Sequence, residues 1–197
     1  MPINTATDPI RTCTTLAVHA DAEHRFSKPT VPSIRLLPGL GVEGDAHCGQ
    51  QVQHRSRVQA DPTQPNLRQV HLISASLLTY LQSHGFAVPP GGLGENITVG
   101  DAPGLHWQDW IALPRGTQLQ FGEVGPCLEL TGLRNPCHQI DAYQPGLLAA
   151  LLGRDAAGQL IRKAGVMAVV VRGGNVCAGD AITVHQPKLP HLPMERV

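Results

Sequence analysis

No stretch of this sequence approaches the roughly 18 consecutive apolar residues of a membrane-spanning helix, and that absence excludes passage through a bilayer as a single apolar helix. Aromatic side chains are scarce too, at 4% of 197 residues, so any core must be built from Leu, Val, Ile and Ala. An excess of either charge is missing. Fifteen Lys and Arg balance fifteen Asp and Glu, which removes the electrostatic footprint expected of a nucleic-acid binder or of a protein held on an anionic membrane. No Cys-x-x-Cys pair occurs. The five cysteines (Cys13, Cys48, Cys127, Cys137 and Cys177) are odd in number and widely spaced, unlike a disulfide framework, a zinc ribbon or a thioredoxin motif. The thiols are therefore expected to be reduced. Gly-x-Ser-x-Gly and His-Glu-x-x-His are absent, removing common hydrolase and zinc-protease signatures. Residues 1–11 carry neither the apolar core nor the basic leader of a secretory signal, so a cytoplasmic location is expected.

Turn-forming residues are plentiful, with 21 Gly and 17 Pro. The length suits one domain with a full core. Strand-like runs recur between turn residues: 12–20, 34–37, 69–73, 96–99, 118–121, 127–130, 166–171 and 181–184. Helical signals are fewer. Ser74 or Ser76 can cap a helix running to His84, with Leu77, Leu78 and Leu81 on one side and Gly85 as its stop. A second, small helix is expected over 146–152. This pattern predicts a mainly β, barrel-like domain with a few short helices. The polar stretch 50–66 is expected to be exposed and mobile, with His54, Arg55 and Arg57 on a solvated face. The tail from Gln186, with three prolines, is expected to be disordered or loosely docked.

The chemistry-bearing candidate is Cys137, which closes Thr131-Gly132-Leu133-Arg134-Asn135-Pro136-Cys137-His138 directly after a strand-like run. A thiol reacts or binds metal as the thiolate, and cations such as Arg134 and a protonated His138 favour that form. Pro136 stiffens the turn that presents the thiol. A free cysteine of this kind is also a common, inert packing residue, and both readings stand on this segment alone. Gly39-Leu40-Gly41-Val42-Glu43-Gly44 matches G-x-G-x-x-G literally. Pro38 precedes it and no helix start follows, so the dinucleotide-binding reading is rejected. The same loop crowds Glu43, Asp45, His47 and Cys48 together, a set able to bind metal or to brace the loop's own backbone. Glu95 and Asn96 stand at a turn-to-strand junction, where Asn96 can serve a ligand or its own backbone. His71 reads as a satisfied strand histidine, and Cys13, Cys127 and Cys177 as packing residues.

Taken in order, four segments resemble the signature of the MOSC family, the molybdenum cofactor sulfurase C-terminal domain. They are GLGVEGDAHCG (39–49), VHLISASLLTYL (70–81), GGLGENITVG (91–100) and TGLRNPCHQI (131–140). A closing segment over 165–180 is similar to the family's last strands. The resemblance divides the chain into an N-terminal strand and linker (1–35), a MOSC domain (36–185) and a Pro-rich tail (186–197). The nearest branch is the small stand-alone, bacterial-type members linked to resistance against N-hydroxylated bases.

The resemblance implies a MOSC-like β-barrel and molybdenum cofactor (molybdopterin) as ligand. It implies Cys137 as catalytic residue and molybdenum ligand, with Arg134, Asn96, Glu95, His47, Asp45 and Thr131 forming the cofactor pocket. The substrate would be an N-hydroxylated base or related N–O compound. Electrons would come from a partner reductase, since no flavin or iron–sulfur motif is visible. An alternative keeps Cys137 as a persulfide-bearing sulfur carrier charged by a cysteine desulfurase. A third reading is a plain metal module built from His47, Cys48 and His71. Pyridoxal phosphate is not expected, because Lys28, Lys163 and Lys188 lie in no context suited to a Schiff base.

Overall fold

The computed structural model describes residues 11–197, with the side chains of residues 55–57 excepted. The expectation resting on residues 1–10, and that for the Arg55 and Arg57 side chains, lie outside the described residues. In chain order the strands are β1 (Arg11–His19), β2 (Thr30–Val31), β3 (Ser33–Leu37), β4 (Gly41–Val42), β5 (Val70–Ser74), β6 (Ile97–Val99), β7 (Gln118–Phe121), β8 (Cys127–Leu133), β9 (Leu152–Arg154), β10 (Leu160–Arg162), β11 (Val166–Arg172), β12 (Gly174–Cys177) and β13 (Ala181–His185). The helices are α1 (Arg55–Ala60), α2 (Ala75–Ser83), α3 (Trp107–Ala112), α4 (Gln139–Tyr143) and α5 (Leu147–Ala150). None of the described helices is long and apolar enough to cross a membrane.

The main sheet runs β13-β7-β8-β11-β5-β6-β1-β2, and an added β13–β1 pairing closes it into a seven-stranded barrel with β2 hanging from β1. Closure leaves the barrel strands no free edge. The expected mainly β, barrel-like fold is the one observed. β1 holds the seam together because it pairs with both β13 and β6. Its inward alternation at Cys13 and Thr15 is reset by an irregularity between Thr15 and Ala17, which lets Val18 and His19 also turn inward. The parallel pairing of β5 with β6 needs a crossover, and α2 lies in it. A second sheet, β12-β3-β4, packs outside.

Two apolar clusters result. The barrel interior is filled by side chains such as Leu72, Ile97, Leu119, Phe121, Leu128 and Ile182. A smaller cluster gathers Leu77, Leu78 and Leu81 of α2 with Leu93, Ile140 and Leu147. The three leucines form the buried face expected from their spacing. The helix start is capped differently from expectation: neither serine caps it through its side chain, and Asp101 accepts the Ser76 N–H at 2.8 Å. Helix α3 and the β9–β10 hairpin had no sequence signal strong enough to be named in advance.

Two expectations are sharpened. The stretch 50–66 is exposed over much of its length, as expected, and folds back on itself through a Gln51–Pro65 bridge, with a backbone bond from Val52 N–H to the Gln64 carbonyl. Asn66 fixes its base, donating from Nδ2 to the carbonyls of His47 and Gly49. The tail is docked as well. Leu133 N–H donates to the Glu195 carbonyl at 2.7 Å, Val197 N–H donates to the Leu133 carbonyl at 3.2 Å, and Met194 is buried. The glycine of the Thr131-Gly132-Leu133 segment makes this possible, since a Cβ on Gly132 would stand 2.4 Å from the Glu195 carbonyl oxygen.

Gly132→Ala should therefore displace the tail and cost about 1–3 kcal/mol, read as a shift of the urea midpoint. The same substitution in a chain ending at Pro193 should cost much less than in the full chain. Equal losses in both backgrounds would disconnect the glycine from the tail.

Candidate functional site

The residues that matter converge where three chain segments meet at the ends of β5, β6 and β8. Strand β8 runs straight into Arg134, whose N–H donates to the Gly165 carbonyl at 3.1 Å. At the far end of that loop Ile140 N–H donates to the Cys137 carbonyl, and Ile140 is buried in the helical cluster. Cys137 thus sits on a turn anchored at both ends, with Pro136 buried beneath it. The thiol is partly exposed, and its Sγ lies 3.6 Å from Gln139 Oε1. His138, expected beside it as a cation, is exposed at the start of α4 and is absent from the cleft wall.

Facing Cys137 is a cleft of about 210 Å³. Its wall brings together Cys137, Arg134, Asn96 and His47 from the expected set, and adds Lys28, Arg68, Arg25, Phe26 and His24. Four of these are basic (Arg25, Lys28, Arg68 and Arg134), and no carboxylate lines the cleft among the described residues. Arg134 is fixed by one N–H bond to the Leu93 carbonyl at 2.7 Å and by its guanidinium carbon 5.8 Å from the Phe26 ring centroid. Burial lowers its pKa from the ordinary value, with Cys137 and Glu95 pulling it back, and a guanidinium stays charged throughout. It carries five N–H donors, so most remain to be satisfied by something in the cleft. His54, expected on a solvated face, instead stands in the wall with Val52 and Gln53.

Beneath the wall lies a buried ionic knot. Lys28 Nζ stands 2.7 Å from Asp45 Oδ2, and both side chains are at most 3% exposed. The same Asp45 oxygen accepts from Asn96 Nδ2 at 3.1 Å and from Asp21 N–H at 3.3 Å. Its partner oxygen accepts the His47 N–H at 2.9 Å and lies 3.3 Å from His47 Nδ1. Burial alone would raise the Asp45 pKa. The His47 bonds and the Lys28 ammonium outweigh it and hold the carboxyl well below its usual range. Burial likewise presses Lys28 below its ordinary value, against the pull of Asp45 and Glu95. His19, bonded to Thr98 and Thr30, is pushed down to about 4 by burial and then by Lys28.

The remaining expected residues are placed behind the wall. Asn96 spends its polar atoms tying strands together: its N–H and Oδ1 engage His71, its carbonyl accepts from His19, and Nδ2 reaches Asp45. Glu95 is fully buried and holds the 91–95 turn, accepting from Gly91 N–H at 2.6 Å, Leu93 N–H at 3.2 Å and Thr98 at 3.1 Å. Burial raises its pKa against those bonds. Thr131 is buried with its hydroxyl near the Leu67 and Met167 carbonyls. Both shape the cleft from behind and do not line it. The zinc-type reading fails geometrically. His71 donates from Nε2 to the Ala164 carbonyl at 2.8 Å, Cys48 is outside the cleft wall, and no group of three metal-binding side chains is assembled among the described residues. All five cysteines are free.

Lys28 is the residue that sequence reasoning missed. It sits in an aperiodic, proline-flanked segment, and its only outward sign was rarity, as one of three lysines.

A family model described as the MOSC domain matches residues 61–183. Among solved structures, the YUAD protein from Bacillus subtilis is similar at 26% identity and a TM-score of 0.71, over 91% of this chain and 99% of that one. YiiM from Escherichia coli shares the fold at 18% identity and a TM-score of 0.56, over 91% of this chain and 73% of that one. YiiM from Geobacillus stearothermophilus does so at 16% identity and a TM-score of 0.56, over 94% and 80%. No curated protein matches the chain.

Acidification should destabilise the knot in two stages. His19 has a folded pKa below its ordinary 6.5, so stability declines as pH falls from about 6.5 toward 4, where the unfolded chain takes up a proton that the folded one refuses. Asp45, depressed below 3.8, extends the decline as pH drops through its folded value. Urea midpoints measured from neutral pH downward should show both, and Asp45→Asn should remove the lower stage. Asp45→Ala, which strands a buried ammonium, should cost about 3–5 kcal/mol, and the double variant Asp45→Asn with Lys28→Met clearly less.

Proposed function

The chain belongs to the MOSC domain family, and on that ground we propose that it binds molybdenum cofactor through Cys137 and reduces N-hydroxylated bases or related N–O compounds, drawing electrons from a partner reductase. The observation that carries the reading is the composition of the cleft: one partly exposed thiol and four basic side chains, with no carboxylate in the wall among the described residues. That donor set fits the group. A pterin cofactor carries an anionic phosphate, suited to the spare donors of Arg134 and to the charge of Arg68. Thiolate is a soft ligand, matched to a metal already held by sulfur. When bound, the cofactor would supply the two-electron redox chemistry.

The chain's own residues do the rest. Cys137, on its doubly anchored turn, offers one sulfur in a fixed place. Arg134 favours negative charge in the cleft, and the aromatic face of Phe26 keeps it oriented. Val52, Leu93 and Met167 supply apolar wall against which a planar base can lie. The buried Lys28–Asp45 pair holds the floor rigid, so little reorganisation is needed when an anion enters. A second reading, a persulfide carrier, is favoured by the partial exposure of Cys137, which leaves its sulfur within reach of a donor protein.

Purified from cells that make the cofactor, the protein should contain molybdenum and pterin near one equivalent, and Cys137→Ser should lose the metal while keeping its thermal midpoint. Arg134→Gln should reduce pterin content. Cyanide-labile sulfur on Cys137 with no molybdenum would establish the carrier reading instead.

A further inference from the structure

Asp45 and His47 form a unit to which the reading above assigns no chemical step. The Asp45 carboxylate cannot move: Lys28, Asn96, Asp21 and the His47 backbone hold it. Its Oδ1 lies 3.3 Å from His47 Nδ1. An ionised carboxylate only accepts, so Nδ1 carries the proton and Nε2 of the neutral ring is left with its lone pair. Among the described residues Nε2 has no hydrogen-bond partner, and the ring lines the same cleft as Cys137. Two further imidazoles lie beside it in the same wall. The His24 ring lies 5.2 Å and the His54 ring 6.3 Å from that of His47, centroid to centroid, and His24 is exposed. Among the described residues the three do not assemble a metal site.

We propose that His47, whose Nδ1–H is held by Asp45 so that Nε2 faces the cleft, takes up a second proton at Nε2 and as the imidazolium delivers it to the departing oxygen of an N-hydroxylated substrate, and that Asp45 is its positioning residue. This rests on the reductase reading above. The step consumes R–NH–OH, two electrons from the external redox partner and two protons. The N–O bond breaks, the oxygen leaves as water and the amine remains. His47 donates one proton to that oxygen, solvent supplies the second to the nitrogen, and the partly exposed His47 is reprotonated from solvent. The charged and titratable groups facing His47 are Asp45 below it, Lys28 behind Asp45, and His24 and His54 beside it, with Arg68 and Arg134 across the cleft. Burial, Lys28 and His24 lower its pKa against the pull of Asp45, so the donating form is lost as pH rises through a value below the ordinary 6.5.

His47 is partly exposed and bonds only to Asp45 through its side chain, so His47→Gln should fold. With hydroxylamino-adenine as substrate and reduced methyl viologen as electron source, the variant should keep its molybdenum content and hold KM within about twofold. Its kcat should fall about 100-fold or more, without the wild-type decline at rising pH. Unchanged kcat and pH profile in a loaded variant would overturn the inference, as would loss of molybdenum, which would make His47 a cofactor anchor. A wild type without cofactor or turnover would count against the reductase reading itself. The inference is decided separately by imidazole nitrogen NMR of the apoprotein. His47 should be the Nδ1–H tautomer and should change its tautomer balance in Asp45→Asn. A neutral ring carrying its proton at Nε2 and not at Nδ1 in the wild type overturns it whatever the cofactor content.

Discussion

The contact on which the site depends is the buried ion pair between Lys28 and Asp45. Each charge, taken alone out of water, would cost several kcal/mol, so neither residue can be in place unless the other is. The pair therefore works as a registration device. Lys28 comes from the linker after β1, Asp45 from the glycine-rich loop after β4, and Asn96 from the entrance to β6. One carboxylate joins all three. Because Asn96 also bonds to β1 and β5, the knot ties the mobile-looking loops to the barrel seam. The cleft above inherits its shape from that tie.

Electrostatics on the whole chain and in the cleft give opposite impressions, and both are correct. The chain is neutral, yet the fold places four basic side chains and no acidic one in the cleft wall among the described residues. Two of those four are paired with carboxylates that lie outside the wall, Lys28 with Asp45 and Arg25 with Asp21 and Glu23, while Glu95 serves the backbone of its own turn, so the buried guanidinium of Arg134 is the cation that chiefly faces the cleft. A neutral protein can in this way present a locally positive cavity suited to a small anion, with none of the broad field that attracts nucleic acid. The wall is also composite. Arg68, Asn96, Arg134 and Cys137 fall within the matched MOSC span of 61–183, whereas Lys28, Phe26, His24 and His47 precede it.

Glycines and the tail show how local sequence and distant structure constrain one another. Gly132 lies in a strand, where a side chain would ordinarily help packing. Its bareness is explained by residues some sixty positions later, since Glu195 and Val197 pass across it. Gly165 behaves similarly: with φ at +89° and a would-be Cβ 2.3 Å from the Leu72 carbonyl, it permits the close approach that lets Gly165 accept the Arg134 N–H. Both glycines support the Cys137 loop without touching the cleft.

Strand periodicity, turn residues and the leucine spacing of α2 determined the mainly β fold, most of its strands and the helix face, because those signals are local and repeat every two or 3.6 residues. The ordered motifs determined the family and marked Cys137, Arg134, Asn96 and His47, all of which reach the cleft. Tertiary structure alone decided the rest. It turned Glu95 and Thr131 inward, since a buried turn needed the acceptor oxygens of Glu95 and a strand carbonyl, that of Met167, needed the hydroxyl hydrogen of Thr131. It folded 50–66 into a wall and pinned the proline-rich tail, because backbone partners for both come from remote parts of the chain. Above all it raised Lys28 from an unremarkable linker residue to the floor of the site. No pattern of neighbours in sequence announces an ion pair, for the energy that requires it arises only when folding removes both charges from water.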